Sequence, residues 1–143
     1  MVTAFHRALR IVLVAWATGA SACSESAGPQ PHVPANFEAV EVSVYEDGRN
    51  LASYTFGPDT PIVDDVRAWL LAEPDADWQR SVRSYAPHLG ISFGEGRINI
   101  TSNHVILNQA HPERADAWRQ FERRVTERDR RLKEAVLRAI EKP

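Results

Sequence analysis

Between residues 89 and 109, apolar and polar residues alternate in three short runs that are separated by turn-forming residues. The apolar members are Leu89, Ile91 and Phe93, then Ile98 and Ile100, then Val105 and Leu107. A period of two is typical of strands with one buried face. A two-residue turn at Ser102-Asn103 places Ile100 opposite Val105 and Ile98 opposite Leu107, so that their side chains share one face. This pattern predicts an antiparallel meander with a single apolar face.

The turn between the first two of these runs cannot be a plain three-residue loop. Such a loop at residues 94–96 would place Phe93 opposite Arg97, which belongs to the other face. We therefore expect a bulge or a different loop length there, with a glycine in the left-handed conformation.

A hairpin is predicted at the start of the domain, near Phe37. Val40, Val42 and Val44 alternate with polar residues, Asp47-Gly48 favours a tight turn, and residues 51–56 form the returning strand.

A helix is predicted directly after this hairpin. Thr60 is a good N-cap, and Pro61 suits the first helical position because its missing N–H has no partner there anyway. An apolar stripe follows at helical spacing, and Trp69 is expected in the core: Ile62, Val66, Trp69 and Leu70.

The C-terminal segment allows two interpretations. Residues 113–141 are rich in helix formers and could form one long helix. Alternatively, Thr126 and Asp129 resemble a capping box, which favours a strand around residues 117–125 and a helix from Glu127.

With a weaker strand at residues 78–85, the pattern predicts an α+β fold for residues 37–143. It consists of an antiparallel sheet of five or six strands, one helix after the first hairpin and a C-terminal helix.

The N-terminus has the three parts of an export signal. Arg7 and Arg10 precede an apolar run from Ile11 to Ala17, and small residues follow to Ala22. The run is shorter than the roughly 20 apolar residues that span a bilayer. We therefore expect residues 1–22 to be a cleavable signal peptide.

The end of this signal, Ala20-Ser21-Ala22-Cys23, resembles the lipobox of a bacterial lipoprotein, although Ala20 stands where leucine is usual. The resemblance implies acylation of Cys23, the only cysteine in the chain, and a membrane anchor facing the periplasm. Ala20 and Ala22 also satisfy ordinary signal peptidase, which would release a soluble periplasmic or secreted protein. The proline-rich residues 23–36 are expected to form a tether.

The motifs of several common chemistries are missing from the sequence. It has no Gly-x-Ser-x-Gly, no phosphate-binding Gly-x-x-x-x-Gly-Lys and no His-Glu-x-x-His. We therefore predict no catalytic residue, no metal site and no cofactor. We predict no nucleic-acid partner, because the arginines of residues 123–131 are interleaved with acidic residues that repel phosphates.

One face of the predicted 97–108 hairpin could bind a partner. If the apolar residues are buried, the other face carries Arg97, Asn99, Thr101, His104, Ile106 and Asn108. Such a mixture is typical of a non-obligate interface, although antiparallel sheets commonly have one solvated face.

These features favour a non-enzymatic binding module of the bacterial envelope that binds another envelope protein. The most specific version of this hypothesis is an inhibitor or immunity protein against an envelope-acting toxin or lytic enzyme. A structural assembly factor of the envelope fits almost as well. The rival hypothesis is an enzyme of cell-wall or envelope polymers, or its accessory subunit. It requires a cleft that holds at least two of the candidate groups within reach of one another: Asp64, Asp75, Asp77, Glu95 and His104.

Overall fold

The structure is a computed structural model that describes residue 31 and residues 36–72, 77–111 and 113–142. The predicted signal peptide of residues 1–22, Cys23 and Asp75 lie outside the described residues. Pro31, inside the predicted tether, is buried.

The described residues form one antiparallel sheet of seven strands and two helices, which confirms the α+β class. The sheet order is β2-β1-β4-β5-β6-β7-β3. The elements are β1 (Val40–Glu46), β2 (Arg49–Phe56), α1 (Pro61–Leu71), β3 (Gln79–Arg80), β4 (Leu89–Phe93), β5 (Gly96–Ile100), β6 (His104–His111), β7 (Arg114–Arg124) and α2 (Glu127–Glu141).

The predicted count of five or six strands is wrong, because the sheet has seven strands and even the weakly predicted strand near residue 78 joins it, as a very short strand at its edge. β3 contains only Gln79 and Arg80, which pair with Glu122 and Phe121. The predicted strand over residues 78–85 is therefore too long. After Arg80 the chain leaves the edge, and the segment of residues 81–88 crosses to the middle of the sheet, where β4 begins. We call this segment the crossover.

The turns bear out the expected registers. Ile100 lies opposite Val105, and Ile98 lies opposite Leu107. The turn before β5 contains two residues rather than three, so Phe93 faces Gly96, and Gly94 has the expected positive φ of 42°. Asp47 and Gly48 form the first hairpin turn, both at positive φ.

The C-terminal segment is a strand followed by a helix, which confirms the second of the two interpretations and excludes the single long helix. β7 ends at Arg124, and α2 begins at Glu127 behind the expected capping box. The backbone N–H of Thr126 donates to Asp129 Oδ2 at 2.6 Å, and the Thr126 hydroxyl donates to the same oxygen at 2.8 Å.

The core lies between one face of the sheet and the two helices. Trp69 is buried as predicted, together with the rest of the α1 stripe. The alternating residues of β4, β5 and β6 pack against Phe121, Leu132 and Val136. Because both helices pack on this side, the opposite side of the sheet is free to carry polar groups. We call it the polar face.

Candidate functional site: the polar face of the sheet

Directly paired residues on the polar face form a row of hydrogen-bonding side chains. Ser92 lies opposite Arg97, Arg97 opposite Asn108, and Asn108 opposite Gln120. All four are partly exposed. The neighbouring row contains Asn99, so three of the five predicted partner-binding residues (Arg97, Asn99 and Asn108) come together in one patch.

The other two predicted residues have different surroundings. The Thr101 hydroxyl is bonded within its own turn, where it accepts from the His104 N–H at 2.9 Å. His104 lies at the far end of the face, with its ring centroid 5.9 Å from that of Tyr85. Ile106, expected on this face as a surface group, is only 1% exposed.

The crossover limits the polar face at this end. Ser81 N–H donates to the Gln120 carbonyl at 3.0 Å, and His88 N–H donates to the Ile100 carbonyl at 2.9 Å. The Gln120 side-chain amide donates to the Arg83 carbonyl at 2.7 Å. The accessible patch is therefore centred on Arg97, Asn99 and Asn108 rather than on His104.

Arg97 is held in a fixed orientation on this patch. Its Nε donates to Asn99 Oδ1 at 3.0 Å, and its Nη2 donates to the Tyr45 hydroxyl. The guanidinium carbon lies 5.8 Å from the centre of the Tyr45 ring. The group also lies across Gly90, where a Cβ atom would come within 2.7 Å of Nη2. Gly90 thus leaves the space that the guanidinium occupies.

The charge of Arg97 has no acidic partner within the described part of the chain. No described carboxylate lies within 4.0 Å of its guanidinium. An arginine has five N–H donors, and two nitrogens of Arg97 are engaged by neighbours. The remaining donors can bind a carboxylate or phosphate, and the rigid planar group favours a bidentate geometry.

An exposed tryptophan lies on the same face. Trp118 of β7 is opposite Ala110, two residues along β7 from Gln120, and is 62% exposed. Tryptophan and arginine are enriched among residues that dominate binding energy at interfaces. Sequence reasoning missed Trp118, Tyr45 and Gly90. The period-two pattern of β7 was the available signal for Trp118, but no pattern links Tyr45 or Gly90 to Arg97.

A cleft of about 680 Å³ lies at the β7 edge of the sheet. Two of the five candidate groups of the enzyme hypothesis, Asp77 and His104, line it. Asp64 instead pairs with Arg67 on the surface, and Glu95 lies in the turn between β4 and β5. The cleft is mainly basic, because four arginines also line it: Arg83, Arg123, Arg124 and Arg128.

Behind this cleft lies a buried ion pair. Arg123 Nη1 and Nη2 donate to the two carboxylate oxygens of Asp129 at 2.6 and 2.8 Å. Trp69 Nε1 donates to Asp129 Oδ1 at 2.9 Å, and the Arg123 guanidinium lies 4.8 Å from the Trp78 ring centre. Burial alone would raise the pKa of Asp129, but the hydrogen bonds from Arg123 and Thr126 lower it below its usual value. With every oxygen engaged inside the domain, this pair serves to join β7, α1 and α2.

Known proteins offer no guide to this arrangement. The chain matches no protein-family model, no curated protein and no solved structure. In the described part of the chain, no helix is both long and apolar enough to cross a membrane. Nor do His, Cys, Asp and Glu residues there gather in groups that could hold a metal ion.

Proposed function

We propose that this chain is an exported, non-enzymatic binding module of the bacterial envelope, anchored to the membrane through a lipid on Cys23. The N-terminal residues support export, since a short apolar run ends in small residues directly before the only cysteine. The partner is another envelope protein, and it docks on the polar face around Arg97.

The fixed position of Arg97 is the observation that carries this proposal. A rigid guanidinium loses less conformational entropy on binding than a free side chain, so its hydrogen bonds contribute more to affinity. The absence of a described carboxylate partner makes the patch complementary to an acidic group. The exposed Trp118 adds apolar contact area at the margin of the same face.

The sharpest form of the proposal is an inhibitor or immunity protein. Lytic enzymes that cleave glycosidic bonds use two carboxyl groups that face each other across a cleft. In this form of the proposal, the fixed guanidinium of Arg97 binds such a carboxylate bidentately and excludes the substrate. The partner in this form is a lytic enzyme or toxin that acts in the envelope.

Site-specific photo-cross-linking in intact cells tests the proposal. A photoreactive amino acid at position 99 or 108 should give a discrete adduct with an envelope protein that mass spectrometry identifies. The same group at position 134, an exposed site on α2, should not give that adduct. Equal adducts from all three positions would mean that the polar face has no special role.

The identified partner then allows a direct test of Arg97. We expect Arg97→Ala to weaken binding by about 30-fold or more, because it leaves the partner's carboxylate without its cation. Gly90→Ala should weaken binding while keeping the arginine, because its Cβ displaces the guanidinium. Arg131→Ala, at an arginine whose side chain is 77% exposed on α2, is the matched control. Unchanged affinity in both polar-face variants, at unchanged melting temperature, would refute the proposed interface.

The cleft at the β7 edge supports a second candidate function, an enzyme of cell-wall or envelope polymers or its accessory subunit. Asp77 and His104 are the groups that would carry it. The test is hydrolysis of isolated cell wall by the purified chain. Activity that is lost in both Asp77→Asn and His104→Ala would favour the enzyme over the binding module.

A further inference from the structure

The two edges of the sheet are protected to different extents. At one edge, β7 carries several charged residues and is partly covered by β3. At the other edge, β2 pairs with β1 on one side and with no other described strand. From Leu51 to Phe56 this strand has neither a charged residue nor a proline. Charges and prolines are the usual devices that prevent an edge strand from accepting another strand.

The core is also incompletely covered beside β2. Tyr54 and Phe56 point toward the core side but are only partly buried. A groove of about 620 Å³ separates them from the first turn of α1 and the end of α2. Ile62, Ala139 and Ile140 contribute apolar surface to its floor. An added strand would direct every second side chain into this groove.

The charges at the rim of the groove indicate the chemistry of the occupant. Arg138 and Lys142 lie at one side, and Asp65 is the acidic lining residue. The Arg138 side chain is 67% exposed, and its nearest acidic partner, Glu134, is 3.9 Å away. This leaves a net positive rim above an apolar floor.

We propose that the β2 edge accepts an extended segment of another protein as an additional strand, with a large apolar side chain in the groove and acidic residues beside it. Main-chain hydrogen bonds to β2 supply affinity, and the groove and rim supply selectivity. A second copy of this chain is a poorer occupant, because β2 itself brings no acidic residue to meet Arg138 and Lys142. This surface is separate from the polar face, so it does not depend on Arg97.

Two synthetic decapeptides provide the test against the full chain. In the first, Val, Phe and Ile alternate with Asp and Glu; in the second, Lys replaces each acidic residue. NMR shift changes on adding the first should cluster at residues 51–56 and 135–142. The Lys peptide should bind about tenfold more weakly, as expected for two exposed charge pairs. The double variant Arg138→Glu, Lys142→Glu should reverse this preference, whereas Arg97→Ala should leave it unchanged.

Backbone methylation of the acidic peptide tests for strand addition in particular. Alternate amides of an added strand face the edge, so N-methyl groups on one alternate set should abolish binding and those on the other set should not. Equal effects of the two sets would overturn the proposal. So would the absence of binding, shift changes on the polar face, or a concentration-dependent dimer that occupies β2. Half of the β2 amides bond to β1 and are protected in any case. Protection of the outward-facing half from hydrogen exchange without any peptide would also overturn the proposal, since the chain's own N-terminal residues would then be the occupant.

Discussion

Asp129 shows how one buried carboxylate can connect three elements. Its side chain is fully buried and accepts hydrogen bonds from Arg123, Thr126 and Trp69. Transfer of a charge from water into a protein interior is costly unless every lone pair finds a donor. The pair with Arg123 is therefore stable only as a complete unit, and removal of one member leaves the other charge buried without its partner.

The stability of the domain should depend on pH through this carboxylate. The pKa of Asp129 is lower in the folded chain than the value of 3.8 typical of an unfolded one. Its contribution is therefore fully present above that value and is lost as pH falls through the folded pKa. We expect Asp129→Asn to reduce the free energy of unfolding by about 3–5 kcal/mol at pH 7, and the difference from wild type to shrink below about pH 4. Urea unfolding from pH 7 to pH 2.5 measures both; a difference that stays constant over this range would contradict the assignment.

Trp69 combines packing with a hydrogen bond to the same carboxylate, and two substitutions separate these roles. Trp69→Ala should cost about 3–5 kcal/mol because it leaves a large cavity. Trp69→Phe keeps most of the apolar volume and removes the Nε1 donor, so it should cost about 1.5–3 kcal/mol. Chemical unfolding of both variants checks this order. A cost of less than about 1 kcal/mol for Trp69→Ala would place this side chain outside the core.

At the scale of the elements, the start of α2 forms both a local helix cap and hydrogen bonds to α1, which is distant in sequence. Thr126 and Asp129 cap the helix, and the Arg128 guanidinium donates to the Ala68 carbonyl at 2.7 Å and to the Trp69 carbonyl at 2.9 Å. These carbonyls lie in the last turn of α1, where backbone acceptors lack helical partners. The first turn of α2 therefore provides a hydrogen-bond acceptor for the backbone N–H of Thr126 and a donor for two carbonyl groups at the C-terminal end of α1.

The cap can be tested by a matched pair of substitutions. Thr126→Ala should reduce the free energy of unfolding by about 1 kcal/mol, within the usual range for the loss of an N-cap hydroxyl. Thr126→Ser keeps the hydroxyl and should stay within about 0.5 kcal/mol of wild type. Thermal unfolding monitored by circular dichroism compares them. Equal melting temperatures of the two variants would mean that the hydroxyl contributes nothing.

Local signals in the sequence account for most of the elements. Alternation predicted the registers of β4, β5 and β6, and the capping box predicted the start of α2. The crossover could not be predicted, because its bonds go to Gln120 and Ile100, which are distant in sequence, and it has no period of its own. The candidate site could be predicted only in part, because some of its contacts also join residues that are distant in sequence. Alternation placed Arg97, Asn99 and Asn108 on one face, whereas two of the contacts that fix Arg97 come from Tyr45 and Gly90 on other strands.

At the scale of the whole molecule, the sheet has a helical layer on one side and a polar face on the other. This asymmetry suits the proposed binding module, because one side stabilises the fold and leaves the other available to a partner. The proposed lipid on Cys23 would hold this domain at the membrane.

Anchoring through Cys23 is tested by metabolic labelling with a fatty-acid analogue. Wild type should incorporate the label and remain in the membrane fraction, because two or more acyl chains hold a protein stably on a bilayer. Cys23→Ser should do neither, while Ser21→Ala, next to the cleavage site, should behave as wild type. Release of the unlabelled wild type into the periplasm would favour cleavage by ordinary signal peptidase.

The contact between Trp69 and Asp129 has a consequence for the order in which the domain can fold. These residues are 60 positions apart, and Leu132 and Val136 complete the same core from the C-terminal helix. β1 likewise finds its partner β4 only after the second hairpin strand, α1 and the crossover have been made. A chain with such distant pairings gains little stability until its last helix is available. The conformational entropy of loop closure is lost before the stabilising long-range contacts form. We therefore expect the domain to fold only after α2 has been synthesised, and such a delay would keep the chain unfolded for the proposed export.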